Sequence, residues 1–228
     1  MRQMRFPKLL ALGAMLWLSA AAAWAQHLSA GVIGGVPLTD FVSTAASVDP
    51  SHPFAFFANT KRYIVGVSGE VRLPFGLGIE IDALYRHLNY TGSGSTTGVT
   101  AVNAASSTTG NAWEFPLVAK YHFPSKVIRP YVEGGVAWDS LQGLTQTIRN
   151  TVLATGLITS SSTSNPAELS KSTVSGFVIG AGVDVHALVI HITPEIRYTR
   201  WGAKHFLDPN GLLNSNQNQA EFLVGFTF

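Results

Sequence analysis

Acidic and basic residues recur at alternate positions along several stretches of this chain. Glu80 and Asp82 share parity with Arg86, Glu114 with Lys120, Glu133 with Asp139 and Glu195 with Arg197, and Glu221 lies near the end. On an extended strand such spacing puts each set on one face. Two carboxylates on one face are the residue types of general acid and base work. Interleaved with cations, they are also the types that build a buried ion network. Acids occur on most of the polar faces in this chain, so filling an interior reads ahead of catalysis.

Other chemistry is sparse. His27, His52, His87, His122, His186, His191 and His205 show no paired metal spacing of the H-E-x-x-H kind. Cys is absent, which removes thiolate catalysis and thiolate zinc sites. No nucleophile elbow and no phosphate-cradling P-loop occurs. Glycines such as Gly31, Gly34, Gly35, Gly180 and Gly182 fall inside extended stretches and read as thin wall. No metal, cofactor or catalytic set is expected. The rival is a lipid-modifying acyl transferase or deacylase, for which His205 with Ser215 or Asp208 is the nearest cluster. Ordinary loop polarity explains those three residues better.

The elements that would position these charges are strands. Eight are read: 28–39, 63–73, 78–90, 112–123, 130–141, 173–185, 189–201 and 218–228. Each is long enough to span a membrane when tilted. The connections alternate in length. Those at 74–77, 124–129 and 186–188 are short, and those at 40–62, 91–111, 142–172 and 202–217 are long. Long outer loops over short periplasmic turns are the asymmetry of an outer-membrane barrel, with both termini at the periplasmic end. The long connections are rich in Ser, Thr, Asn, Ala and Gly and read as mobile, solvated segments.

Each strand has an apolar and a polar face. Trp113, Phe115, Leu117, Ala119, Tyr121 and Phe123 oppose Glu114, Pro116, Val118, Lys120 and His122. Ile190, Ile192, Pro194, Ile196 and Tyr198 oppose His191, Thr193, Glu195, Arg197 and Thr199. Alternation alone does not say which face is outside. A soluble periplasmic barrel binding an apolar ligand would turn the large residues inward, and a membrane barrel turns them to lipid. Volume favours the second, because eight strands enclose little room for so many aromatics. Aromatics also gather at both rims, with Tyr63, Tyr85, Trp113 and Tyr198 at one and Tyr121, Phe123, Phe226 and Phe228 at the other, as in interfacial girdles.

The lumen then holds Glu70, Glu80, Asp82, Glu114, Glu133, Asp139, Asp184, Glu195 and Glu221 against Arg72, Arg86, Lys120 and Arg197. These groups should pair or keep water. The plain reading is a filled, locked lumen. The functional one is a narrow, gated, cation-preferring path, with Lys120 and Arg197 as plugs paired to Glu114, Glu133 or Glu195.

The amino terminus reads as a secretory signal peptide over residues 1–25, with basic Arg2, Arg5 and Lys8, an apolar run Leu9–Ala22 and cleavage near Ala25. Residues 26–228 would form a single barrel domain. Without Arg2, Arg5 and Lys8 the chain carries 12 Lys and Arg against 13 Asp and Glu, so its basic character gives no indication of nucleic acid. Only 12% of residues are charged, where a soluble domain usually has about a quarter.

At the end of the chain, Phe222, Val224, Phe226 and Phe228 share one face, with Gly225 between them on the other. This closing strand, together with Gly31–Leu38 and Pro130–Val136, resembles the small outer-membrane β-barrels of the OmpA-like, OmpX-like and opacity-protein kind. The resemblance implies an all-β, eight-stranded, antiparallel up-and-down transmembrane barrel in a Gram-negative outer membrane. It implies recognition of the closing strand by the barrel-assembly machinery, contact with outer-membrane lipid, and a non-enzymatic role in surface structure, adhesion or limited permeability. Host or cell-surface ligands would be met by the loops, above all by the apolar run Thr151–Ile158. A monomer is expected, since barrel closure leaves no sheet edge to pair.

Overall fold

The computed structural model describes residues 28–43, 45–46, 53–58, 62–98, 101–125, 128–187, 190–207 and 213–227. The leader over residues 1–25, His27, His52, Asp208 and the terminal Phe228 lie outside the described residues. Among those described, no helix is long and apolar enough to cross a membrane.

Eight antiparallel strands form the wall: β1 Leu28–Pro37, β2 Ile64–Arg72, β3 Leu77–Ser95, β4 Val102–His122, β5 Ile128–Val152, β6 Thr173–Ala187, β7 Ile190–Trp201 and β8 Asn218–Thr227. Each strand pairs with the next. β8 returns onto β1, with Val32 opposite Phe226 and Val36 opposite Phe222, which closes the ring. Closure satisfies every wall strand on both sides, as a lipid environment demands.

The wall resolves which face is outside. Val65 and Val67 on β2, Ile79 and Ile81 on β3, Phe115 and Leu117 on β4, Phe177 and Ile179 on β6, Ile196 on β7 and Phe222 and Phe226 on β8 all point outward and are exposed. Glu80, Asp82, Glu114, Lys120, Glu133, Glu195, Arg197 and Glu221 point inward and are buried. This is inside-out for a soluble barrel, with the charges inside and the large apolar side chains outside. Aromatic pairs mark the two rims. Tyr85 packs on Trp113 with ring centres 5.2 Å apart, and Tyr121 packs on Phe123 at 5.1 Å near the short turns.

The long connections correct the reading of mobile segments. β3, β4 and β5 run to 19, 21 and 25 residues, where about ten suffice to cross. Their distal halves remain paired, from Tyr90 opposite Thr108 to Ser95 opposite Asn103 and from Thr109 opposite Thr145 to Val102 opposite Val152. Two further strands widen this extension. Phe54–Ala58 pairs with β3 over Tyr90–Gly94, and Ile158–Thr163 pairs with β5 over Gln146–Thr151. Ser- and Thr-rich composition signals loop only when nothing pairs with the backbone. Here the threonines supply β-branched residues, and one face packs on buried Phe56, Tyr90 and Leu144.

A bulge joins the wall to the extension. Two β5 residues, Gly143 and Leu144, oppose Gly110 alone, between the Thr109–Thr145 and Asn111–Gln142 pairs. Gly143 has φ +60°, the left-handed conformation such a bulge takes from glycine. The extra residue lets Leu141 and Leu144 both turn inward.

Candidate functional site: an ion-filled lumen beneath an apolar cap

The side chains that alternation placed on the polar faces meet in the lumen as three clusters. The central one is built on Arg197. This guanidinium is fully buried and donates Nε to Glu133 Oε1 at 2.9 Å, Nη1 to Asp82 Oδ2 at 2.8 Å and Nη2 to Glu195 Oε1 at 2.8 Å. Glu80 Oε1 lies 3.4 Å from Nη2. Lys120 Nζ sits 2.7 Å from Glu80 Oε1 and 3.4 Å from both Glu133 Oε2 and Glu195 Oε2. Strands β3, β4, β5 and β7 thus converge on one network across the lumen. Guanidinium geometry suits the task, since its donors diverge in a fixed plane toward several acceptors.

A second cluster lies toward the long loops. Arg86 donates Nη2 to Asp139 Oδ2 at 2.7 Å and Nη1 to Gln219 Oε1 at 2.8 Å and Glu221 Oε1 at 3.3 Å. Glu114, opposite Asp139 in the β4–β5 ladder, comes within 3.6 Å of Arg86. A third cluster lies near the short turns, where Arg72 reaches Glu70 at 3.3 Å and Asp184 at 3.4 Å. His191 Nδ1 lies 2.7 Å from the other Asp184 oxygen.

Small residues make room for these contacts. Arg197 and Glu133 belong to strands on either side of β6 and face Gly180 from its two sides. A Cβ at Gly180 would collide with the Glu133 carboxylate, and one at Gly182 with the Tyr131 phenol. Gly180, which looked like thin wall, is the gap through which Arg197 and Glu133 reach each other over an intervening strand.

Some contributors were not legible from charge patterning. Tyr131 donates its hydroxyl to Glu195 Oε2 at 2.5 Å, and its ring lies 4.6 Å beneath Lys120 Nζ. Its parity with Glu133 was the available signal. Gln219 has the same relation to Glu221.

The mouth is closed by residues that the sequence assigned to loops. Phe41, Val42, Phe206 and Leu213 pack with Leu88, Tyr90, Leu141 and Leu144 into one buried apolar cluster. A short ladder between Val42–Ser43 and Asn214–Ser215 ties the first long connection to the fourth. The cap rests on the network, since the Arg86 guanidinium lies 4.9 Å from the centre of the Phe41 ring. Burial holds the Tyr90 hydroxyl well above its ordinary range, and it donates to Glu168 Oε1 at 3.1 Å.

His205 and Ser215, the nearest pair for acyl transfer, have other work in this cap. Ser215 Oγ accepts hydrogen bonds from the backbone N–H of His205 at 2.8 Å and of Phe206 at 3.2 Å. The His205 ring stacks on Phe41, with Nδ1 2.7 Å from the Lys171 carbonyl oxygen and Nε2 3.4 Å from Asp139. The ring is therefore engaged away from the Ser215 hydroxyl. Among the described residues, the Glu80, Glu133 and Glu195 carboxylates come close enough together to suit a metal ion. The Lys120 ammonium and Arg197 guanidinium already stand against all three.

None of the curated proteins matches the chain significantly. Among solved structures, the chain is similar to the outer membrane protein OprG of Pseudomonas aeruginosa, at 11% identity and TM-score 0.48, covering 88% of this chain and 92% of that one. It is similar to the N-terminal β-barrel domain of Pseudomonas aeruginosa OprF, at 16% identity and TM-score 0.35, covering 89% and 98%. It is also similar to Neisserial surface protein A, at 12% identity and TM-score 0.39, covering 88% and 94%. Residues 9–228 match the family described as the outer membrane protein beta-barrel domain. The chain therefore belongs to that family and is an outer-membrane β-barrel protein.

Proposed function

We propose that this protein is a non-enzymatic, closed barrel whose task is to hold its extracellular sheet away from the membrane as an interaction surface. The observation that carries the reading is the length of β5, continuous over 25 residues from Ile128 to Val152. At about 3.3 Å per residue it runs roughly 80 Å, far more than a tilted crossing uses. A filled lumen supports the same reading. Arg197 and Lys120 stand where a solute or ion would pass, and the cap around Phe41 and Phe206 covers the mouth. The far tip of the sheet presents Leu153, Leu157 and Ile158 to solvent, and exposed apolar residues of this kind mark interaction sites.

The test has two arms. Planar-bilayer recording of the intact protein should give no steady conductance. Replacing the hairpin over residues 146–163 by a short turn should abolish attachment of protein-displaying cells to their target surface while the barrel stays heat-modifiable. Steady cation-selective conductance of the intact chain would favour the pore, and unchanged attachment would remove the interaction role.

A further inference from the structure

The barrel wall has no edge, but the extracellular sheet does. Among the described residues, Ile158–Thr163 pairs with β5 alone, on one side, and all six of its residues are exposed. Edge strands are ordinarily protected by a charge, a proline, a bulge or shortness. This one is Ile-Thr-Ser-Ser-Ser-Thr, without charge, proline or glycine, and it pairs with β5 in unbroken register.

The direction of its free groups follows from the turn. Val152 N–H donates to the Leu157 carbonyl at 2.9 Å, so Leu157 faces β5. Hydrogen-bonding direction alternates along an antiparallel strand. Thr159, Ser161 and Thr163 therefore also bond to β5, and Ile158, Ser160 and Ser162 direct their N–H and C=O groups outward.

We propose that this edge pairs with the same edge of a second copy of the chain standing in a facing membrane. The edge is self-complementary. Antiparallel pairing about Ser160 sets Ser160 opposite its own copy and Ile158 opposite Ser162, and bonds all three outward residues. A charge at residue 160 would have met its like across the symmetry axis, and the strand contains none. Symmetry fixes the arrangement. Two identical antiparallel strands are related by a twofold axis perpendicular to their sheet. This sheet continues the barrel wall, so its normal is radial and lies in the membrane plane. A twofold axis in that plane inverts the barrel axis, and the two barrels must point at each other from opposed membranes. Side-by-side copies in one membrane cannot form this pair.

The inference rests on the extracellular sheet being the interaction element, and it assigns that element its partner. The experiment uses the full chain, one barrel per lipid nanodisc, followed by sedimentation velocity and electron microscopy. The expected result is concentration-dependent pairs of discs facing one another with the sheets between them. Ser160→Pro removes an outward N–H that the protein's own ladder does not use. It should raise the concentration needed for pairing at least about tenfold, with heat-modifiable mobility unchanged. Ser160→Lys and Ser160→Asp should each remain single, and a mixture of the two should pair again, since only a partner carrying residue 160 can supply the opposite charge.

Discs that stay single at all concentrations, pairs that survive Ser160→Pro, or pairs with parallel barrels would overturn the proposal. If discs stay single while truncation of residues 146–163 still abolishes attachment to cells lacking the protein, self-pairing fails and the interaction role of the sheet stands.

Discussion

Arg197 of β7 donates Nε to Glu133 of β5 at 2.9 Å across a strand, β6, that lies between them. The contact exists because Gly180 faces both residues in register and has no side chain. Gly180→Ala puts a methyl group against the Glu133 carboxylate. It should destabilise the barrel by about 1–3 kcal/mol, the usual range for overpacking, read as a lower urea midpoint in bilayers. Gly34→Ala, where a Cβ meets nothing within 4 Å, is the control and should be close to neutral.

Removing the charge that organises the lumen should be more severe. Arg197→Met leaves Glu80, Asp82, Glu133 and Glu195 facing one another without their guanidinium. Breaking a buried pair by deleting one partner costs about 3–5 kcal/mol, and unfolding of the refolded barrel should show a loss of that order. A variant as stable as the unmodified protein would mean that water or cations already screen these acids.

Lys120 offers a conductance test of the plug. Lys120→Ala removes the ammonium shared by Glu80, Glu133 and Glu195, and with Arg197→Ala it should give cation-selective openings absent from the intact barrel. If single-channel records remain silent, the apolar cap alone closes the path, and Phe41→Ala becomes the variant to record.

Ser215→Ala separates a structural serine from a catalytic one. Two buried amides, those of His205 and Phe206, lose their acceptor, at a cost of about 1–3 kcal/mol to the local structure. Protease nicking between residues 202 and 207 should rise, and the lipid A mass spectrum of expressing cells should be the same with and without the substitution. A lipid A change that depends on Ser215 would establish the acyl-transfer alternative.

The closing strand yields a prediction about assembly. Phe222 and Phe226 face lipid on β8, so Phe226→Ala removes an outward ring without touching the ion network. The folded fraction in the outer membrane should fall severalfold in cells, while protein refolded in detergent keeps a midpoint within about 1 kcal/mol of the original, as expected of a lipid-exposed site away from the core. Equal losses in both settings would make the residue structural and leave recognition by the assembly machinery without support.

Alternation was enough to read the wall. Trp113 to Phe123 and Ile190 to Tyr198 show a period of two, and the structure buries the charged residues Glu80, Asp82, Glu114, Lys120, Glu133, Glu195, Arg197 and Glu221 of the polar faces, while His191 and Thr193 of β7 are only half-buried. It read the lumen only in part, because it finds charges by parity and does not say which will meet. Glu114 went to Arg86, and Lys120 and Arg197 drew in Glu80. Those choices depend on how far each strand is staggered against neighbours distant in sequence, and on the room that Gly180 leaves.

The sequence by itself determined the two-faced strands, the rhythm of short and long connections and the acidic excess inside, because these follow from local period and composition. Only the tertiary structure decided that Ser- and Thr-rich segments continue as sheet, that Phe41 and Phe206 seal the mouth, and that Ile158–Thr163 is left as an open edge. Each is a matter of pairing between residues far apart in the chain. A polar residue forms strand or loop according to whether a partner strand arrives to take its backbone hydrogen bonds, and nothing in its own neighbourhood records that arrival.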